Sequence, residues 1–247
     1  DRQKITTIGI PLQVLIEISK ILSESDEPDN NVMKELEKHV EYISTSGCGI
    51  HVKCKFPIKF TPELVSIIFH LCGDGHIGTV GQTSHYRQMN KQGLDNFITK
   101  LKNVFNEFSM NDNDILDGKA TIPKVITHFY QHHFELDNCY WNKARINNYI
   151  KNFPKEILLA GLTSFIIDEG HVGKSIEIYS GNKELLKDMK EIIEKLGYTC
   201  LGPKEKLRYG KHDSYRIYIS LNDARKFYYD IKDLEERFPT CGLAQKS

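Results

Sequence analysis

The sequence of 247 residues has no excess of either charge, because 33 lysines and arginines balance 33 aspartates and glutamates. Neutralising phosphates supplies much of the affinity of nucleic-acid-binding proteins, so zero net charge argues against a uniformly basic binder. The composition does not argue against a nucleic-acid-binding protein whose positive side chains are gathered on one face. The chain also lacks an apolar run near the roughly 20 residues that cross a bilayer, and it has no signal-peptide pattern. We therefore expect no membrane partner and an intracellular, cytoplasmic location.

Paired cysteines and glycine-rich phosphate loops are absent as well. The six cysteines form no CxxC pair, which predicts free thiols rather than disulfides. Cys48, His51 and Cys54 have zinc-like residue types, but at odd spacing on a strand their side chains do not share a face. No zinc site is expected there, and the missing glycine-rich loop argues against a nucleotide-using enzyme.

What the chain does contain is a short motif present twice. Asp74-Gly75-His76-Ile77-Gly78 returns as Glu169-Gly170-His171-Val172-Gly173, each time at the end of an apolar helical run. Such a repeat predicts two pseudo-symmetric halves of one domain, with two carboxylates brought together where the halves meet.

The order of predicted elements repeats with the motif. Helices that begin at Thr61-Pro62 and at Pro154 are each followed by two strands, a helix, two strands and a final helix. This order predicts an α+β fold of two αββαββα halves, forming a saddle of two antiparallel four-stranded sheets. The expected boundaries are 1–59 for a small N-terminal helical and strand appendage, 60–150 for the first half and 151–247 for the second.

Several local signals make this prediction specific. Asp117-Gly118 is typical of a tight hairpin turn, and Asn222-Asp223 is expected to cap the last helix. In the appendage, we expect a helix over 8–22, another over 31–42 and a strand over 49–56.

At these residues the chain resembles the LAGLIDADG homing endonucleases, in the single-chain form with two motif copies. The register is Ile67-Ile68-Phe69-His70-Leu71-Cys72-Gly73-Asp74-Gly75 and Leu162-Thr163-Ser164-Phe165-Ile166-Ile167-Asp168-Glu169-Gly170. The literal Leu-Ala-Gly-Leu string at 159–162 lies one helical turn too early. The resemblance covers about residues 60 to 237, and it implies a monomeric, site-specific double-strand DNA endonuclease.

The resemblance also implies a metal site. Asp74 and Glu169 would be catalytic ligands of Mg²⁺ or Mn²⁺, together with the backbone carbonyls of Gly73 and Asp168. The chemistry is consistent, since a carboxylate near a helix C-terminus faces the negative end of the helix dipole and is stabilised by a cation. Carboxylate oxygens suit Mg²⁺, which can activate water and neutralise a leaving oxygen. The competing interpretation is an ordinary helix end with a glycine cap.

Close helix packing in this family requires small residues between the helices. Gly73 and Ser164 fit that pattern, whereas Phe69 and Asp168 depart from it. We expect either that Phe69 faces Ser164 and the departures offset each other, or that the site has drifted. The alternative function is therefore a catalytically degenerate LAGLIDADG-like DNA-binding regulator, or an RNA maturase acting on structured intron RNA.

A lysine after the second hairpin of each half can approach the scissile phosphate in this family. By position this is Lys124 in the first half, whereas the second half has Asn222. Lys124 is expected to stabilise charge, or otherwise to be a solvated lysine. Asn90 matches a position that can hold water in this family. His76 and His171 are expected either to contact phosphate or order water, or to be structural residues at the start of strands.

DNA recognition would fall to the strands, because β-ribbons fit the major groove. The alternative is an exposed hairpin with solubilising charges. The resemblance also implies intron or intein association, although no splice junctions are evident. The candidate DNA-binding residues are basic side chains on or near the strands, namely Arg87, Lys91, Lys119, Lys204, Lys206, Arg208, Lys211 and Arg216.

Overall fold

The computed structural model describes residues 12–23, 30–45, 50–54, 56, 58–78, 83–108, 110, 114–136, 143–207 and 213–243. The chain divides into two compact units, one up to Tyr42 and one from Ile43 onward. The first unit contains helices α1 (Leu12–Ser23) and α2 (Asn30–Glu37). The second predicted helix therefore exists but ends at Glu37 rather than near residue 42. None of the helices within these ranges has the length and apolar character needed to cross a membrane.

The second unit contains the repeated order of elements. Its helices are α3 (Pro62–Cys72), α4 (Lys91–Phe105), α5 (Lys124–Phe134), α6 (Asn148–Lys151), α7 (Lys155–Glu169), α8 (Lys183–Lys195) and α9 (Leu221–Arg237), followed by a 3-10 turn at Pro239–Cys241. Its strands are β1 (Val52–Lys53), β2 (Gly75–His76), β3 (His85–Arg87), β4 (Glu107–Phe108), β5 (Ile115–Leu116), β6 (Lys119–Thr121), β7 (Gly170–Val172), β8 (Ile176–Ser180), β9 (Cys200–Leu207) and β10 (Asp213–Ile219).

The strands form two four-stranded antiparallel sheets with the same internal order. One sheet has the order β2-β3-β6-β5 and the other has the order β7-β8-β10-β9. In both sheets the first strand of the half lies at one edge, and the third strand of the half lies at the other edge, because the fourth strand pairs with the second. The predicted mixed α+β class with two antiparallel four-stranded sheets is confirmed.

The residues before α3 belong partly to this second unit. Among the described residues of the predicted strand 49–56, β1 forms a strand, and it pairs with β4 through Val52 opposite Phe108. Because a strand needs a hydrogen-bonding neighbour, this pairing attaches the segment to the main body, which begins at Ile43.

Local sequence accounts for most element boundaries. Thr61 caps α3 by accepting a hydrogen bond from the Leu64 N–H. Asp117 and Gly118 both adopt positive φ, as the predicted hairpin turn requires. The predicted cap of α9 is wrong: Ser220, not Asn222, accepts from the next turn, because β10 ends at Ile219 and α9 begins at Leu221.

Helices α3 and α7 are the centre of the second unit and pack against each other. Residues 64–72 of α3 and 157–167 of α7 are all buried, so both helices are covered on every side. A helix that is apolar all round is typical of a protein interior. The two motif copies therefore end helices whose central residues are shielded from solvent.

A second buried cluster fixes the segment that joins the halves. The Asp188 carboxylate on α8 accepts from Arg145 Nε at 2.6 Å and Nη2 at 2.9 Å, from Lys151 Nζ at 2.7 Å and from the Ile146 N–H at 3.0 Å. Burial raises the pKa of Asp188, but these donors outweigh it and hold the pKa below the ordinary value of 3.8. The ionised carboxylate is thus part of the fold.

We expect Asp188→Asn to lower the free energy of unfolding by about 1 kcal/mol at neutral pH, because the amide replaces charge-assisted bonds with neutral ones. The native pKa is depressed, so the charged form stabilises the fold above pH 3.8 and this contribution is lost as the pH falls through the lower native value. Urea unfolding of both proteins between pH 3 and pH 7 measures this. A stability difference that stays constant over that range would contradict the role assigned to the charge.

Candidate functional site

Each motif copy marks an abrupt change from helix to strand. A Cβ on Gly75 would lie 2.4 Å from the Cα of Leu71, and one on Gly170 would lie 2.7 Å from the carbonyl oxygen of Ile166. Both glycines therefore pack against the last turn of their own helix, where no side chain fits. The glycine of each acid-Gly pair is therefore required for the chain to fold directly from the helix end into β2 or β7.

Contacts between the two helices follow the repeat. The Ser66 and Ser164 hydroxyls share a hydrogen bond, and the site of a Cβ on Gly161 lies 2.5 Å from the Phe69 ring. The offset along the chain that relates Asp74 to Glu169 also relates Ser66 to Gly161 and Phe69 to Ser164. The two contacts are thus pseudo-symmetric copies of each other. The Phe69 ring packs on Gly161, one helical turn before Ser164, so a glycine in α7 makes room for the large side chain in α3.

The next contact lies on the axis itself. Gly73 and Asp168 are equivalent positions, and a Cβ on Gly73 would lie 2.8 Å from Asp168 Oδ2 and 2.9 Å from Asp168 Cβ. Since the helix ends meet at these two residues, Asp74 and Glu169, which follow them directly, flank the axis. Both acids are half-buried.

The Asp168 side chain is fully buried in a polar network. Its Oδ1 accepts from the Tyr86 hydroxyl at 2.7 Å, and its Oδ2 lies 2.9 Å from His70 Nδ1. Burial, with the charges of Asp168 and, more weakly, Asp74, raises the pKa of Tyr86. The phenol therefore stays protonated as a donor, and Asp74 lies near enough to act on it electrostatically.

Behind His70 lies a buried lysine that the sequence analysis missed. Lys100 on α4 is fully buried, with Nζ 2.8 Å from His70 Nε2 and 3.2 Å from Ser164 Oγ. Burial and the Lys100 charge hold the pKa of His70 well below 6.5, so its ring is neutral. The neutral ring donates from Nδ1 to Asp168 and accepts at Nε2 from Lys100. The sequence signal for this buried lysine was its position three residues after Phe97, on the apolar face of α4.

Other predicted residues have simpler surroundings. Lys124 is exposed at the first position of α5. The Asn90 side chain accepts a hydrogen bond from the Gln92 N–H and so caps α4. His76 on β2 is half-buried beside His85, with ring centroids 5.0 Å apart, whereas His171 on β7 is exposed. Within the described ranges, no three His, Cys, Asp or Glu side chains cluster closely enough to hold a metal ion alone.

The faces of the sheets that carry no buried side chains are partly basic. Arg87 and Lys119 are exposed and occupy directly opposed positions on β3 and β6. Lys204 and Arg216 are opposed on β9 and β10, and Arg216 also contacts Glu177 at 3.1 Å. Like charges in opposed positions are unfavourable unless an anion is bound.

The remaining basic candidates are less well placed or are outside the description. Lys91 is exposed at the first position of α4 rather than on a strand. Lys206 lies on β9 opposite Ser214, and its side chain is outside the described part. Arg208 and Lys211 lie outside the described residues, as does Cys48 of the rejected zinc pattern. Cys54, Cys72, Cys200 and Cys241 are buried free thiols.

Comparison with known proteins gave matches among solved structures alone. No protein-family model matches the chain, and no curated protein matches it. The crystal structure of I-DmoI in complex with DNA and Mn is 17% identical, covering 69% of this chain and 96% of that one with a TM-score of 0.46. Mesophilic variants of the homing endonuclease I-DmoI are 16% identical, covering 68% and 87% with a TM-score of 0.45. A point variant of I-DmoI, crystallised with its target DNA in the presence of Mg, is 17% identical, covering 70% and 98% with a TM-score of 0.44.

Proposed function

We propose that this chain is a metal-dependent, site-specific endonuclease of double-stranded DNA that acts as a monomer. The observation that carries the proposal is the pair of acids, Asp74 and Glu169, flanking a pseudo-two-fold axis between two matched sheets. One chain supplies both acids and both sheets, so a second copy is not required.

The donor set fits a hard divalent cation. Two half-buried carboxylates, with the backbone carbonyls of Gly73 and Asp168 beside them, offer only oxygen ligands. Mg²⁺ is commonly held by one or two carboxylates and completed by water and substrate phosphates, so a cluster of three acidic or imidazole groups is not needed. When bound, Mg²⁺ or Mn²⁺ supplies Lewis-acid activation of water and neutralises charge on the phosphodiester.

The chain's own residues position the acids and the duplex. The Arg87 N–H donates to the backbone carbonyl of Asp74 at 3.1 Å, which ties the first acid to β3. Exposed Lys124 is the residue we assign to charge stabilisation at the scissile phosphate.

The basic strand positions are the surface we assign to DNA. Phosphates would relieve the opposed charges of Arg87 with Lys119. Arg216 already has the Glu177 carboxylate as a partner, so at the second pair we assign the phosphate contact to Lys204. We place Lys91, Lys206, Arg208 and Lys211 at the margins of the same DNA-binding surface. Intron or intein association, which the resemblance implies, belongs to this proposal too.

Calorimetric titration of Mn²⁺ into the protein with a randomised duplex library tests the proposal first. The wild type is expected to take up Mn²⁺, and the Asp74→Asn, Glu169→Gln double variant to lose that uptake while still binding DNA. Incubating the same library with Mg²⁺ and sequencing the new ends then yields the cleaved duplex. DNA binding without Mn²⁺ uptake that depends on the two acids would overturn the nuclease and favour the binding regulator or RNA maturase.

A further inference from the structure

The network around Asp168 has a feature that packing alone does not require. Asp168 occupies an equivalent position to Gly73, where a glycine is sufficient for the helices to meet. The chain instead places a carboxylate there, wholly removed from solvent. Burying a charge is costly unless partners compensate it, so the compensation must be built from other elements.

The compensation comes from three separate elements. Tyr86 on β3 donates to one carboxylate oxygen, and His70 on α3 donates to the other. Lys100 on α4 donates to the far side of the imidazole. Burial lowers the pKa of Lys100, but the charge of Asp168 opposes this shift, so the protonated amine balances the carboxylate through a neutral ring. Each carboxylate oxygen of Asp168 accepts a hydrogen bond from another side chain of the protein. We therefore assign this carboxylate a structural role rather than contact with a ligand.

We propose that Asp168 is a positioning residue: its carboxylate, held by Tyr86 and His70, fixes the end of α7 against the end of α3 and so sets the separation of Asp74 and Glu169. The inference rests on the proposed function. Asp168 directly precedes Glu169, and its Cβ and Oδ2 lie over the backbone of Gly73, directly before Asp74. A shift of the Asp168 side chain therefore changes the position of one acid relative to the other.

Asp188 supplies a matched control. It is an equally buried aspartate held by several donors, but its partners Arg145, Lys151 and Ile146 lie in the segment that joins the halves. Asn at either position removes one buried negative charge and keeps the side-chain size. A purely structural loss is therefore expected in both variants, and a loss of metal affinity only in Asp168→Asn.

The experiment titrates Mn²⁺ into the full chain with the randomised duplex library. We expect Asp168→Asn to raise the Kd for Mn²⁺ by about 10-fold or more, as is typical when a group that orients metal ligands is lost. Asp188→Asn is expected to keep the wild-type Kd while its Tm falls. On the duplex recovered by selection, Asp168→Asn should lower kcat and leave KM for DNA unchanged, because the DNA-binding strands are not altered.

Further variants keep the test decisive if Asp168→Asn folds poorly. Tyr86→Phe removes one donor and keeps the ring stacked on Phe97, and it should change the Mn²⁺ Kd in the same direction by a smaller factor. Lys100→Met leaves Asp168 without its balancing charge and should lower the Tm by roughly 10 °C.

The outcomes separate this inference from the proposed function. Wild-type Mn²⁺ affinity and kcat in folded Asp168→Asn and Tyr86→Phe would overturn the positioning role and leave the nuclease in place. A wild-type protein that binds no Mn²⁺ with DNA present would overturn both.

Discussion

Asp74→Asn is expected to lower the single-turnover rate of cleavage about 1,000-fold, while the Kd for DNA changes by no more than a few-fold. Removing one ionised ligand costs a metal-assisted reaction several kcal/mol of transition-state stabilisation, and about 4 kcal/mol corresponds to this factor. Binding depends instead on basic side chains of the strands, which the substitution leaves in place. The measurement is cleavage of the selected duplex at saturating protein and Mg²⁺, with the Kd determined in EDTA.

Asp95→Asn is the control, because it changes an exposed carboxylate on α4 outside the helix pair. It should cleave at the wild-type rate. Glu169→Gln should match Asp74→Asn, since the two acids flank the same axis. Cleavage that survives both Asp74→Asn and Glu169→Gln would sink the assignment of these residues.

The second large effect is expected at the crossing of α3 and α7, where Gly161→Ala should lower the free energy of unfolding by about 2 kcal/mol. Alanine is favoured over glycine in a helix by about 1 kcal/mol, which would predict a gain. The new methyl group, however, would lie 2.5 Å from the Phe69 ring in a fully buried contact. Overpacking of a rigid core costs up to about 3 kcal/mol, so the clash outweighs the helix propensity. Urea unfolding measures the change.

A double variant identifies the cause. Phe69→Leu shortens the side chain that the new methyl would meet, so it should recover most of the stability lost in Gly161→Ala. The same substitution in the wild-type background should destabilise, because it leaves a gap over Gly161. If the two changes were simply additive, the contact would not be the reason for the loss.

The repeated half was predictable from sequence because its signals are local. Thr61 before Pro62 begins a helix, Asp117-Gly118 closes a hairpin, and the period of apolar residues changes between helix and strand. The order of these elements, found twice, indicates two equivalent sheets without knowledge of any long-range contact. The position of each acid-Gly pair was also predictable from local sequence, because the glycine marks the end of each central helix.

The partners across the helix pair were not predictable in the same way. The sequence marked Phe69 and Asp168 as departures but did not show what each would touch, because this depends on how one helix is rotated against the other. Gly161 belongs to a lookalike string one turn too early, yet it accommodates the Phe69 ring. The role of Lys100 depends on His70 and Asp168, which lie far from it in the chain.

The network around Asp168 also limits how the two halves can be exchanged. His70 is equivalent to Phe165 and Asp168 to Gly73, so each half contributes a different member of the pair. A homodimer made by duplicating the second half would bring two Asp168 carboxylates together with no imidazole between them. Duplicating the first half would bury two copies of His70 with no acid. If the chain arose by gene duplication, its halves have since become obligate complements, and neither can return to symmetry by a single substitution.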